Sequence, residues 1–183
     1  MSYVESTSGL EPAGIATATR LVKRVPLAPG DRGVEQTIAE MRRLVWETGG
    51  KPVFKDIAMR LVPLGAAVLG EQAYRQLFNS LRHTFRYVRD ARGVEEIWEP
   101  ECHAYRFASV GHTWGDCDDA AVWAATLISA LNLAPFRWVT IATGRRGLEL
   151  DHVFVEVQMN GIWKTFDFLA PGTKSVRTVY WRA

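Results

Sequence analysis

The sequence predicts an α+β fold, and three observations predict it. Apolar residues recur at helical spacing through much of residues 34–85. A long apolar run follows Cys117. After it come segments rich in β-branched and aromatic residues, two of them joined by Asn160-Gly161. Helices come first and strands last, which is the order of an α+β chain.

The elements follow in order. Residues 1–33 are rich in Ser, Thr, Ala, Gly and Pro, with Pro12, Pro26 and Pro29 as breakers. They read as an extended N-terminal arm with one short strand at 20–25, able to dock onto a partner. From Val34 to Thr48 the residues Val34, Ile38, Met41 and Val45 mark a helix that Gly49-Gly50 stops. A second helix is expected over 53–62, with Phe54, Ile57, Ala58 and Leu61 on one face, and a third over 72–85, with Tyr74, Leu77, Phe78, Leu81 and Phe85. These three form a helical layer over 34–85, and their aromatics read as core. Residues 86–114 have no clear period and read mostly as loop, a wall for a cleft.

The next helix starts at Asp116 to Cys117 and ends near Leu131-Asn132. Strands are expected over 136–142, 152–159 and 162–168. Asn160-Gly161 fits a two-residue type I′ turn, which needs positive φ at both positions. Residues 143–150, with Gly144 and Gly147, read as a loop between antiparallel strands, and 178–181 as one more strand. One domain over 34–183 with the arm in front of it suits a chain of 183 residues.

The bulk composition excludes several classes. At 48% hydrophobic the chain has enough apolar residues for a core. The net charge of +2, with acids interspersed among the arginine clusters, argues against nucleic-acid binding. The longest apolar stretch, 120–134, is interrupted by Thr, Ser and Asn and is too short for a membrane span. No basic segment leads into an apolar run at the N-terminus, so no signal peptide is expected. Two cysteines, Cys102 and Cys117, do not make a disulfide framework, which points to a reducing cytoplasm.

Chemistry concentrates at three residues. Cys117 stands in Gly115-Asp116-Cys117-Asp118-Asp119 at a predicted helix start, where backbone N–H groups and the helix dipole favour a thiolate. The three flanking carboxylates work against it by like-charge repulsion. His152 opens an alternating strand. Pairing the strands around Asn160-Gly161 sets Met159 opposite Ile162, Glu156 opposite Thr165 and Phe154 opposite Asp167. Asp167 then stands diagonally across the ladder from His152, within side-chain reach. Asp151, although adjacent, points to the other face. A thiol, an imidazole and a carboxylate so placed suit acyl transfer or amide hydrolysis of a protein or peptide through a thioester. The backbone N–H of Cys117 is one candidate oxyanion donor, and the side chains of His112 and Trp114 are candidates for the second.

The motifs Gly115-Asp116-Cys117-Asp118-Asp119, His152-Val153-Phe154-Val155-Glu156-Val157 and Gly161-Ile162-Trp163-Lys164-Thr165-Phe166-Asp167 resemble the core motifs of the transglutaminase-like superfamily. The resemblance covers about residues 84–170. It implies a papain-like core, a Cys-bearing helix packed on an antiparallel sheet, with Cys117 as nucleophile, His152 as base and Asp167 as its orienting partner. It implies no cofactor and no metal. Phe168 departs from the family, which usually has Pro or a small polar residue there. More loosely, the whole chain resembles small transglutaminase-like proteins of tailed bacteriophages. That likeness implies a phage origin, the cytoplasm of a bacterial host or the virion as location, and other virion proteins as partners of the arm.

Other readings are weaker. A non-enzymatic virion component, a connector or tail accessory protein, would fit the arm but has no need of the triad. A zinc site of Cys102, His103, His112 and Cys117 lacks ordinary ligand spacing. No G-x-S-x-G motif supports a serine hydrolase. The Asp116, Asp118 and Asp119 cluster lacks the glycine and trailing Glu of an EF-hand loop.

Overall fold

A computed structural model describes residues 22–24, 30–62, 70–90 and 96–183. In chain order the elements are β1 (Val22–Arg24), α1 (Asp31–Thr48), α2 (Pro52–Leu61), α3 (Glu71–Thr84), β2 (Phe85–Tyr87), β3 (Glu96–Trp98), α4 (Pro100–Val110), β4 (Thr113–Gly115), α5 (Cys117–Ala130), β5 (Phe136–Ala142), β6 (His152–Met159), β7 (Ile162–Phe166) and β8 (Arg177–Arg182). Among the described residues, no helix is long and apolar enough to cross a membrane. Most of the predicted arm lies outside the described residues. Its short strand is seen as β1, which pairs antiparallel with β3.

Helix α5 organises the core. A helix that is apolar on every side has to be buried on every side, and the whole run from Asp118 to Ile128 is buried. Helices α1, α2 and α4 pack on it, with Phe54 of α2 edge-on to Trp123 at 6.2 Å, and β6 crosses its other side. Asn132, at φ 47°, ends the helix in the left-handed region, and Leu133 N–H donates to the Ile128 carbonyl at 3.1 Å.

The sheet is antiparallel throughout, in the order β7-β6-β5-β8. Val153, Val155, Val157 and Met159 of β6 join the buried cluster with Trp138 and Phe166, whereas the alternate residues of β6 are half-buried. On that second face, Arg137 lies between the rings of Trp163 and Tyr180, 4.3 and 4.1 Å from their centroids, and pairs with Glu156 at 2.6 Å. The α+β class expected from the sequence, with the Cys-bearing helix on an antiparallel sheet, is the observed architecture.

The main correction concerns residues 86–114, expected to be mostly loop. They contain β3, β4 and the eleven-residue helix α4. Pro100 opens that helix and Gly111, at φ 75°, closes it. Its buried residues include Cys102, His103 and Arg106 as well as Ala104. Polar side chains on the inward face erase the apolar period by which a helix is recognised. Helix α1 also takes in residues 31–33, placed in the arm by periodicity, because Gly30 at φ 66° starts the helix and Asp31 sits favourably in its first turn.

Candidate active site

The hairpin delivers two of the three predicted residues to each other. Asn160 and Gly161 have φ of 53° and 78°, as a type I′ turn requires. The register runs from Met159 opposite Ile162 to Val155 opposite Phe166. Asp167, one residue beyond, places Oδ2 2.9 Å from His152 Nε2. Its other oxygen accepts the Ala170 N–H at 3.1 Å, which anchors the carboxylate in the turn that follows β7. Both side chains are nearly buried, at 12% and 5% exposure, so the contact is little screened by water. An ionised carboxylate only accepts, so in the neutral ring Nε2 carries the proton and Nδ1 keeps its lone pair. Asp151 is committed elsewhere. It accepts the N–H and the hydroxyl of Thr143, each at 2.7 Å, and closes the 143–150 loop.

The motif around Cys117 is a built helix start. Asp116 is the N-cap and accepts the Asp118 N–H at 3.3 Å, while Asp119 reaches back to the Asp116 N–H at 3.4 Å, a capping box. Asp119 Oδ1 also accepts the Trp98 N–H at 2.8 Å and lies 3.7 Å from His103 Nε2. His103 is fully buried and contacts the Thr113 hydroxyl through Nδ1 at 2.8 Å. One carboxylate thus ties β3 and the residue before Cys117 to the first turn of α5. Cys117 itself is half-buried there, and the two cysteines form no disulfide.

Burial reduces the expected repulsion on the thiol. Asp118 is fully buried, and burial, then its contact with Asp116, hold its carboxyl well above the usual range. Burial also raises Asp116. Burial that disfavours the charged carboxyl weakens the repulsion those two acids exert on a thiolate. Cys102, by contrast, is buried in the core, and burial pushes its thiol up.

Topology sets His152 at the end of the sheet away from the connection between α5 and β5. Residues 131–135 connect α5 directly to β5, and Gln158 N–H donates to the Pro135 carbonyl at 2.8 Å, so the far end of β6 lies by that connection. β6 is the strand that packs on α5, and its first residue, His152, pairs with Ile141 near the end of β5. A second link comes from β2. Tyr87 pairs with Gly115, two residues before Cys117, and Phe85 packs edge-on against Phe168 at 5.6 Å, next to Asp167.

His112 and Trp114 stand beside this helix start. His112 Nδ1 lies 3.0 Å from the Val110 carbonyl, so in the neutral ring the only N–H is taken. The Trp114 ring stacks on Arg106 at 4.1 Å, and the same guanidinium lies 3.6 Å from Trp98 and donates to the Trp114 carbonyl at 3.0 Å. Trp114 therefore remains as the side-chain oxyanion candidate.

Sequence reasoning passed over Tyr87 and Asp90. Burial first, then the charges of Cys117 and Asp116, raise the Tyr87 phenol, which places it in the field of the thiol. Asp90 accepts the Glu96 N–H at 2.6 Å, and burial lifts it to about 6. Both belong to Arg86-Tyr87-Val88-Arg89-Asp90, a segment that the sequence marks but whose residues need a tertiary neighbour before they mean anything.

No family model matches the chain, and no curated protein matches it. Among solved structures, a proposed cysteine protease from Cytophaga hutchinsonii aligns with a TM-score of 0.46 at 16% identity, over 86% of this chain and 53% of that one. The chain spans about half the length of that protein.

Proposed function

We propose that this protein is a cysteine-nucleophile hydrolase of the transglutaminase-like type, acting on an amide of a protein or peptide through a thioester. The observation that carries the reading is the 2.9 Å contact between His152 Nε2 and Asp167 Oδ2. In this reading it leaves Nδ1 free to act as the proton acceptor for Cys117. The motif resemblance of the sequence supports the same roles.

The chemistry follows from those positions. The Cys117 proton passes to His152 Nδ1, and Sγ forms a bond to the carbonyl carbon. The oxyanion takes hydrogen bonds from the Cys117 N–H and, in this reading, from the Trp114 indole. The C–N bond breaks as His152 returns the proton to the departing amine. Water, deprotonated by His152, then attacks the thioester, and Sγ leaves as the acid is released. An amine in place of water would give transfer from the same intermediate. Asp167 holds the imidazole in one tautomer and stabilises its charged form.

Iodoacetamide labelling followed by mass spectrometry tests this, together with turnover of peptide amides. Cys117 is expected to react faster than Cys102, and Cys117→Ala to abolish turnover. Equal labelling of the two cysteines, with turnover intact in Cys117→Ala, rules the reading out. Added hydroxylamine, captured as a hydroxamate, identifies the thioester.

A further inference from the structure

Strand β2 adjoins the segment that carries the nucleophile, and the chemistry above gives it no task. Its pairing with β4 is parallel, with Phe85 beside Thr113 and Tyr87 beside Gly115. β4 is the inner strand of this ribbon, since Thr113 and Gly115 are buried, whereas Arg86 and Tyr87 of β2 are exposed. Val88 N–H donates to the Gly115 carbonyl at 2.7 Å. Alternate residues of a strand turn their main-chain groups to the same neighbour, so Arg86 and Val88 face β4 and Tyr87 turns its N–H and C=O to the outer edge. Among the described residues no strand pairs with that edge.

The Tyr87 ring has a defined direction as well. Side chains alternate along a strand, so Tyr87 shares a face with Phe85. Phe85 is buried and packs edge-on against Phe168 at 5.6 Å, and Phe168 follows Asp167, the partner of His152. That contact joins β2 to the segment carrying Asp167. Tyr87 stands two residues further along the same face, opposite the glycine that leads into Asp116 and Cys117. Yet Tyr87 is 58% exposed, and among the described residues its ring stacks on no aromatic and its hydroxyl makes no hydrogen bond. A large aromatic with an unpaired main-chain donor and acceptor on the same residue offers a ligand both a platform and a strand to pair with.

We propose that Tyr87 is a substrate-binding residue. The acyl donor lies extended along the outer edge of β2, pairs its main chain with Tyr87, and rests an aromatic or large aliphatic side chain, from a residue close to the scissile amide, on the Tyr87 ring. The substrate class is thus a linear peptide segment and not a folded surface, because only an extended chain supplies the matching N–H and C=O. The occupant is the substrate because this edge meets the nucleophile's own segment, with Tyr87 opposite the residue two before Cys117. The proposal rests on the hydrolase reading above and names its substrate class.

Calorimetry on full-length Cys117→Ala tests it without any turnover. The probes are short linear peptides that differ at one central residue, Phe or Ala, and the Phe peptide with each main-chain amide N-methylated in turn. The Phe peptide is expected to bind about ten-fold more tightly than the Ala peptide, the scale of one aromatic contact. One N-methyl position should lose about ten-fold, the scale of one hydrogen bond. In Tyr87→Ala the Phe preference should vanish while the N-methyl loss remains, because the main chain is unchanged, and Tyr87→Phe should keep both. Equal binding of the Phe and Ala peptides, no binding of any peptide, a Phe preference surviving in Tyr87→Ala, or N-methyl peptides that all bind alike overturns the proposal. So does a dimer in analytical ultracentrifugation that Tyr87→Ala dissociates, since a second copy would then cover the edge. Iodoacetamide labelling of the unmutated protein keeps the two readings apart. Fast Cys117 labelling without the Tyr87-dependent preference removes this proposal alone, whereas the preference with inert Cys117 removes the hydrolase reading alone.

Discussion

The carboxylate of Asp119 occupies the space that a side chain on Gly115 would need. A Cβ on Gly115 would stand 2.2 Å from Asp119 Oδ2, against a carboxylate that is held by two backbone N–H groups. The glycine and the second acid of the motif are therefore one device, and Cys117 lies between them. Gly115→Ala is expected to cost about 1–3 kcal/mol, the scale of overpacking. Asp119→Gly removes both the carboxylate and the Cβ, itself 2.5 Å from that position, but orphans the Trp98 N–H. The double variant should be less unstable than the sum of the singles, as urea unfolding would show. Strict additivity would mean that the two residues do not share this contact.

The His152–Asp167 contact predicts a tautomer effect. Asp167→Asn is nearly isosteric and can still meet Nε2, but the neutral amide loses the charge that favours a protonated imidazole. Cys117 labelling and amide turnover should fall by about 10²–10⁴-fold, the range for general acid–base catalysis, while far-UV circular dichroism stays unchanged. A similar loss in His152→Ala, with no further loss in the double variant, would show that the two act as a unit.

Asp90 predicts a pH dependence of stability. Burial raises it from 3.8 to about 6 in the folded chain. The folded state therefore binds its proton more tightly than the unfolded chain does. Its contribution is present in full below the unfolded value and is lost as pH rises through about 6. Asp90→Asn keeps an acceptor for the Glu96 N–H and should flatten the fall in stability between about pH 4 and 6. Urea midpoints across that window decide the matter, and an unchanged slope would contradict the assignment.

Arg106 predicts a distinction between two cations. Its guanidinium fills the gap between Trp98 and Trp114 and holds the Trp114 carbonyl. Lysine keeps the charge but not the planar stack. Arg106→Lys should cost about 1–2 kcal/mol, the scale of desolvated cation–π contacts, and should shift tryptophan emission. Lysine and arginine giving the same stability would reduce the sandwich to simple charge.

Much of the site's frame was legible in the sequence because it rests on local rules. The hairpin at Asn160-Gly161 depends on the backbone preferences of two residues, and a strand's period of two then carries the register to Asp167. That argument rejects Asp151, which the structure finds clasping Thr143. The helix start at Cys117 was legible for the same reason, since a cap and its reciprocal acid lie within four residues.

Helix α4 was not legible, because it buries His103 and Arg106 where an apolar stripe would be expected. Their partners, Thr113 for His103 and the stacked tryptophans for Arg106, lie on other elements and meet them only after folding. The weight given to Asp116 and Asp118 also changed, because the cost of their charge depends on burial and not on spacing. By itself the sequence determined the order of helices and strands, the hairpin register and the helix cap before Cys117, all set by backbone geometry over a few residues. Only the tertiary structure decided which acids burial shifts upward, why Gly115 must lack a side chain, and that Tyr87 pairs beside the segment leading into Cys117. These depend on desolvation and on contacts between segments far apart in the chain, and neither is written in local pattern.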